Sequence, residues 1–490
     1  MSLLSRHADA AALIPALHHV IGGAAVADGS AGSFEHINPA TGAVQAVVPL
    51  AGAAEVDAAV AAAHAAFPAW RATPPEERRA ILERLAALIG EHTEELALLS
   101  SLEFGGAMVF TRHLGLLSRK FTNYYAGWAD RLEGQVITND AESGFVYTIP
   151  EPLGVIAVIV TWNGPLISLG MKVSPALAAG NTVVLKPAEI APFATQKFVE
   201  LARRAGLPDG VLNLVHGGAD AGAALTGHPG IAKISFTGGH ATAHRILEAA
   251  ARNLTPAVME LGGKSANLVF ADADLDAACL HTTMMGLSNA GQGCALPTRV
   301  LVQDEVYDSF LQRLEATVSA LAVGDPLADE TIIGPVISEK SSERILGIIS
   351  DAVRSGDGRV VTGGKRLDGD LAPGWFVAPT VLADVDPASS VAQKEIFGPV
   401  ISVMRFGSEE EGVAIANGTG YGLSSFIQTA DERRIRRLVG QFRSGTVGVN
   451  GGAPLTYNAP FGGLGLSGYG KEGGRAGIDE FLHLKTVLVG

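Results

Sequence analysis

Between Gly154 and Phe270 the chain carries a series of short apolar runs, most of them bounded by glycine or by Lys-Pro. They are GVIAVIV (154–160), TVVLKP (182–187), VLNLVHG (211–217), IAKISFTGG (231–239), VMELGG (258–263) and SANLVF (265–270). A run without polar alternation has no solvent face, so it suits a strand covered on both sides. The intervening segments have helix length; one ends over Pro175–Ala179 at Gly180 and another spans His240–Arg252. Strands alternating with helices of about 10–15 residues imply an α/β fold with a doubly wound parallel sheet. The same texture returns later, with helices over Glu305–Leu321, Ser341–Gly356 and Glu409–Asn417 and strands near Val360, Thr380, Ile401 and Thr446. Upstream, Glu55–Ile89 is helical in pattern, with Thr73 as an N-cap before Pro74 and Glu76. A length of 490 residues fits about three structural units.

Composition removes several classes of function. Hydrophobic residues make up 47% and charged residues 18%, which excludes a disordered chain. Lys and Arg number 36 against 50 Asp and Glu, a net charge of −14. That balance opposes a broad nucleic-acid surface or an anionic membrane face. No apolar run approaches the roughly 18 residues of a membrane span. The two cysteines, Cys279 and Cys294, build no disulfide framework, so a reducing, cytoplasmic setting or a catalytic thiol is expected.

Some apparent motifs fail. GGKS (262–265) has Val258 where a phosphate loop needs glycine, and GLGLSG (463–468) has too little chain after it for a dinucleotide unit. His240 and His244 share a helical face but lack a third ligand, so no metal is expected. Other segments carry chemistry. Cys294, in NAGQGCALPTR (289–299), is flanked by Gly291 and Gly293, which leave room for a ligand; it reads as a nucleophile or as an inert core thiol. Glu260 ends a strand before two glycines, as a base for water or a capping residue. Asn163 follows the first apolar strand, as an oxyanion donor or a turn residue. Lys186 and Glu189 end the next strand, to hold sugar hydroxyls or to pair with each other.

Together these segments resemble the aldehyde dehydrogenase superfamily. The pieces run in order from Asn38 to Gly490: NPATG (38–42), TWNGP (161–165), KPAE (186–189), FTGG (236–239), ELGGKS (260–265), GQGC (291–294), GDP (324–326) with GPVIS (334–338), EIFGPV (395–400), and PFGG (460–463) with SGYGKEGG (467–474). The resemblance implies a Rossmann-like doubly wound NAD-binding domain (1–130 and 151–262), a second α/β catalytic domain (263–458) and a small β oligomerisation arm (131–150 and 459–490). It implies Cys294 as nucleophile, Asn163 as oxyanion donor and Glu260 as the base that activates water. The cofactor set would be Ile159, Trp162, Lys186, Glu189, Gly218, Gly222, Phe236, Thr237, Gly238, Gly239, Leu261, Glu395 and Phe397. Glu189 favours NAD, with NADP as the alternative, because a carboxylate accepts from a 2′-hydroxyl and repels a 2′-phosphate.

The chain departs from the family pattern at Gly239, His240 and Ala243 near the expected pyrophosphate. It also has Gly164 after Asn163, and Gly452 and Leu455 near positions often aromatic. A wider, less aromatic tunnel is expected, with Gly164, Ser168, Leu455 and Phe461 on the substrate and a bulky or aromatic aldehyde preferred. A semialdehyde dehydrogenase, CoA-acylating or not, is the alternative, and Glu260 favours hydrolysis over transfer to CoA. A homodimer or homotetramer is the expected assembly.

Overall fold

Val155–Ile159 (β1) is buried at all five positions, as its unbroken apolar sequence requires. In a computed structural model, which describes residues 2–137 and 144–490, β1 lies inside the first of two large sheets. It pairs in parallel with Thr182–Lys186 (β2), and β2 with Leu212–Leu214 (β3). On its other side β1 pairs with Lys233–Thr237 (β4), and β4 with Ala257–Glu260 (β5). The parallel order is β5-β4-β1-β2-β3, so the chain reverses its winding direction between β1 and β4. Such a switch point opens a crevice at the carboxyl ends of the strands. Antiparallel strands extend the sheet to eight, with His19–Ile21 and Ala24–Val26 at one edge and Gly468–Tyr469 at the other.

The second sheet has seven strands: Ala266–Val269 (β6), Arg299–Gln303 (β7), Arg359–Thr362 (β8), Thr380–Ala383 (β9), Val400–Phe406 (β10), Ser424–Gln428 (β11) and Thr446–Val449 (β12). Their order is β8-β9-β10-β7-β6-β11-β12, parallel except for the β8–β9 pair. This corrects the grouping of SANLVF with the first set of strands: β6 is central in the second sheet, between β7 and β11. The Gly262–Gly263 link carries the chain from one sheet to the other.

Thr73 is not an N-cap. The helical stretch divides into Ala53–Ala72 and Pro75–Glu91, and the Thr73 hydroxyl donates back to Ala69 O at 3.0 Å. Leu482–Val489 pairs along its whole length with Phe145–Pro152, which also holds Val136–Ile137. Gly468–Tyr469, within the range 459–490 expected for the arm, pairs with β5 in the first sheet. Residues 138–143 of that arm lie outside the described residues. Among the described residues no helix is long and apolar enough to cross a membrane.

Three helices matter for the site: Met108–Ala126 (α1), Pro165–Ala178 (α2) and Leu275–Gly286 (α3). Pro165 starts α2 at its first position, where a missing N–H costs nothing, and so holds TWN at the strand–helix junction.

Candidate active site

Asn163 follows β1, Thr237 ends β4 and Glu260 ends β5, so the carboxyl ends of the first sheet bring all three toward the second lobe. Cys294 approaches from that lobe, on the loop between α3 and β7. Two cavities meet there. One is a tunnel of about 420 Å³; the other is a crevice of about 180 Å³. Thr161, Asn163, Thr237 and Cys294 line both. The thiol-bearing residue thus stands on the wall that the tunnel and the crevice share.

The loop carrying Cys294 is tightly specified. Asn289 and Ala290 both adopt left-handed backbone, with φ of 50° and 54°, followed by Gly291 at 70°. For non-glycine residues this costs roughly 1–2 kcal/mol each, so surrounding contacts must hold the turn. Asn289 Nδ2 donates to Asn163 O (3.2 Å) and Gln292 O (3.3 Å). Gln292 Nε2 donates to Asn289 O at 3.0 Å, and its Oε1 accepts from Ile337 N at 2.9 Å. Asn163 Nδ2 donates one hydrogen to Gln292 O at 3.0 Å. That bond orients the amide and leaves its second hydrogen for another acceptor.

The two glycines after Glu260 are required by close approach. A Cβ on Gly263 would lie 2.2 Å from Cys294 O, and one on Gly262 would lie 2.2 Å from Glu395 Oε2. Gly263 N also donates to Glu395 Oε1 at 2.9 Å.

Glu260 is 3% exposed, and neither carboxylate oxygen has a well-formed hydrogen bond among the described residues. Burial, and then the charge of Glu472, push its carboxyl well above the usual range; Lys172 and the neighbouring Cys294 thiol oppose the shift. Burial also raises the Cys294 thiol, and the carboxylates of Glu260 and Glu395 add to the effect. The other cysteine, Cys279, is 1% exposed and pushed up to about 12 by burial, which suits an inert core thiol.

Lys172 and Glu472 were not singled out by sequence reading. Lys172, on α2, is fully buried and forms an ion pair with Glu472, while donating to Ser235 Oγ at 3.1 Å. Glu472 lines the tunnel beside Glu260. The two partners are 300 residues apart in the chain, so no local pattern announces them.

Gly164, Ser168, Leu455 and Phe461 all line the tunnel. In the crevice, Trp162, Thr237, Gly238, Gly239, Leu261, Glu395 and Phe397 come together. Trp162 meets Phe397 edge-on at 5.3 Å. Burial raises Glu395 to about 7, against the Gly263 N–H and the charges of Lys264 and Arg344. Phe236 does not line the crevice: it is 3% exposed, and Gly238 lies over its ring, where a Cβ would come within 2.5 Å of Cζ. Ile159 is likewise buried at the end of β1, away from the crevice wall.

Lys186 Nζ donates to Gly217 O at 2.5 Å and Pro187 O at 2.9 Å, and its stem packs beside Gly222. Glu189 is half-buried three residues on. Gly218 and Gly239 face open space, for an added Cβ at either would meet nothing within 4 Å. Gly239 caps the helix His240–Ala251 without a side-chain acceptor. Open N–H groups there, with a carboxylate anchored at Glu395, suit an elongated ligand with phosphates in its middle and hydroxyls at its ends.

The model of the aldehyde dehydrogenase family matches residues 26–487.

The chain belongs to the aldehyde dehydrogenase family.

Among curated aldehyde dehydrogenases it is 40% identical over 477 residues to the betaine aldehyde dehydrogenase of Cereibacter sphaeroides, covering 97% of this chain and 98% of the relative. It is 39% identical over 453 residues to the glutarate-semialdehyde dehydrogenase of Pseudomonas putida, covering 92% and 93%. A solved aldehyde dehydrogenase, the betaine aldehyde dehydrogenase from Staphylococcus aureus in complex with NAD+, superposes with a TM-score of 0.95. It is 33% identical, with coverage of 98% of this chain and 97% of that one.

Proposed function

We propose that this aldehyde dehydrogenase oxidises a bulky apolar aldehyde to its carboxylic acid with NAD as acceptor, through a thiohemiacetal and then a thioester on Cys294. The observation that carries the reading is the position of Cys294 on the wall common to tunnel and crevice. An aldehyde in the tunnel and a ring in the crevice would both reach its sulfur.

Glu260 takes the thiol proton as Cys294 Sγ bonds to the carbonyl carbon; a carboxylate above its ordinary range is the stronger base. The resulting alkoxide accepts hydrogen bonds from the second hydrogen of Asn163 Nδ2 and from the Cys294 backbone N–H. Fixed donors of this kind stabilise a developing oxyanion by about 3–4 kcal/mol each. NAD, when bound in the crevice, supplies the acceptor for the hydride that leaves the former aldehyde carbon. After Glu260 has shed its first proton to solvent, it takes a second from water. The hydroxide adds to the thioester carbon and the Cys294 thiolate departs. The unpartnered Glu260 oxygens support this step over transfer to CoA, which needs no water base.

Lys186 and Glu189 would hold the adenosine ribose, and Glu395, with Phe397 behind it, the nicotinamide ribose. Glu189 supports NAD over NADP, and the NAD+ complex of the Staphylococcus aureus relative agrees. Residues 1–130 with 151–262 would form the cofactor domain and 263–458 the catalytic domain. The arm strands expose Val136 and Phe145 on one face and Leu484 and Leu488 on the other, apolar surface that supports pairing into a homodimer or a dimer of dimers. Light scattering tests the assembly. Two unpaired thiols support a cytoplasmic setting, which fractionation tests.

The function itself is tested by NADH absorbance with purified protein and an aldehyde panel, with and without CoA. Oxidation without CoA, lost in Cys294→Ser, is expected; turnover unchanged in that variant would refute the mechanism.

A further inference from the structure

Three helices wall the tunnel with apolar faces: α1 gives Phe110 and Leu114, α2 gives Ile167 and Met171, and α3 gives Met284 and Met285. Polar side chains interrupt this lining at a few points, and most of them are committed. Asn163, Asn289 and Gln292 are held in the bonds that shape the Cys294 loop. Glu472 is paired with Lys172. Thr237 Oγ1 and His281 Nε2 are enclosed within the wall itself. Thr161 stands where the tunnel meets the crevice, and His113 stands at the mouth, open to solvent. Along the length between them lie two hydroxyls, those of Ser168 and Ser288.

Ser168 is 7% exposed, and its hydroxyl has no hydrogen-bond partner among the described residues. In a helix a serine hydroxyl can bond the carbonyl one turn back; here only the Ser168 backbone N–H does so, to Gly164 O at 3.2 Å. The half-buried Ser288 hydroxyl is likewise unpartnered among the described residues. Unlike Thr237 Oγ1 and His281 Nε2, neither serine oxygen is enclosed, so both open on the cavity that their residues line. Both stand in its inner part. Ser168 is one helical turn beyond Gly164, the neighbour of Asn163. Ser288 precedes Asn289, whose Nδ2 donates to Asn163 O at 3.2 Å. Met284, one turn before Ser288, is 44% exposed and marks the outward direction. A hydroxyl donates one hydrogen and accepts through two lone pairs, and it carries no charge, so each serine suits a neutral donor or acceptor. A site built to pair a substrate hydroxyl also rejects the analogue that lacks one, because its own polar groups then lose their partner.

We propose that the tunnel is specific for a ring-bearing, otherwise apolar aldehyde that carries one neutral hydroxyl near its reacting carbon, with Ser168 and Ser288 as the specificity-determining residues that hydrogen-bond it. The proposal rests on the reading of Cys294 as the residue that captures the aldehyde, since that fixes which end of the substrate lies deep.

The test compares kcat/KM of the NAD-loaded enzyme for the 2-, 3- and 4-hydroxybenzaldehydes with that for their near-isosteres, the corresponding methylbenzaldehydes. At one ring position Ser168→Ala and Ser288→Ala should each lower the hydroxyl-to-methyl ratio by about fivefold, the contribution of one neutral hydrogen bond, and the double variant should lower it further. The intrinsic reactivities cancel when the ratios of variant and unmodified enzyme are compared, and a merely weakened fold lowers both rates together. Unchanged ratios at every ring position in the double variant would overturn the proposal. If the double variant fails to fold, a crystal of Cys294→Ser with a bound hydroxybenzaldehyde decides. A ring hydroxyl within about 3.2 Å of Ser168 Oγ or Ser288 Oγ would support the proposal, and a ring hydroxyl touching neither would overturn it. No NADH with any aldehyde would overturn the reading of Cys294, and this one with it.

Discussion

Replacing Lys172 with methionine keeps most of the stem's volume and removes one charge from a fully buried pair. Lys172 is 0% and Glu472 5% exposed, so the Glu472 carboxylate would lose its paired counter-charge in a largely buried site. Breaking one side of such a pair costs about 3–5 kcal/mol, whereas replacing both sides with neutral groups is often close to neutral. The cycle of Lys172→Met, Glu472→Gln and the double variant, followed by urea and thermal unfolding, should show a large loss in the first and substantial recovery in the double. The pair also bears on Glu260, whose carboxyl is raised by Glu472 and lowered by Lys172. The acid limb of the kcat–pH profile should therefore move up in Lys172→Met and down in Glu472→Gln. A loss below about 1 kcal/mol in Lys172→Met would show that the pair is not desolvated. Shifts of the same sign in both single variants would refute the electrostatic argument.

Glu260→Gln should abolish thioester hydrolysis yet stabilise the protein above neutral pH. The folded chain holds this carboxyl above its unfolded value, so the unfolded state loses its proton first, and the contribution to stability falls as pH rises through the folded value. Melting curves from pH 5 to 9 should show a shallower decline in the variant; parallel curves would refute it. Asn163→Ala should lower kcat by about 10²–10³, with little change in melting temperature, read by steady-state kinetics. Gly263→Ala should depress kcat sharply even where it folds, because its Cβ would displace the Cys294 carbonyl, 2.2 Å away. Crystals of that variant should show the loop moved.

Much of the first lobe was legible because a strand buried on both faces writes its burial locally. GVIAVIV and TVVLKP need no distant information to read as β1 and β2. Cys294, Glu260 and Asn163 stood out through glycines and a proline whose local geometry the structure explains. The run SANLVF states that it is buried but not beside which neighbours, and the structure seats it in the second sheet between β7 and β11. The Thr73 hydroxyl can serve a cap or a back-bond to residue i−4, and here it makes the latter.

The amino-acid order alone thus settled which segments are apolar, where the chain turns and which side chains could react. The closing of two sheets against each other decided the rest: the Lys172–Glu472 pair across 300 residues, the three helix faces that wall the tunnel, and the two cavities meeting at one sulfur. Local preferences act over a few residues, whereas these contacts exist only once strands from distant parts of the chain have taken their order in a sheet.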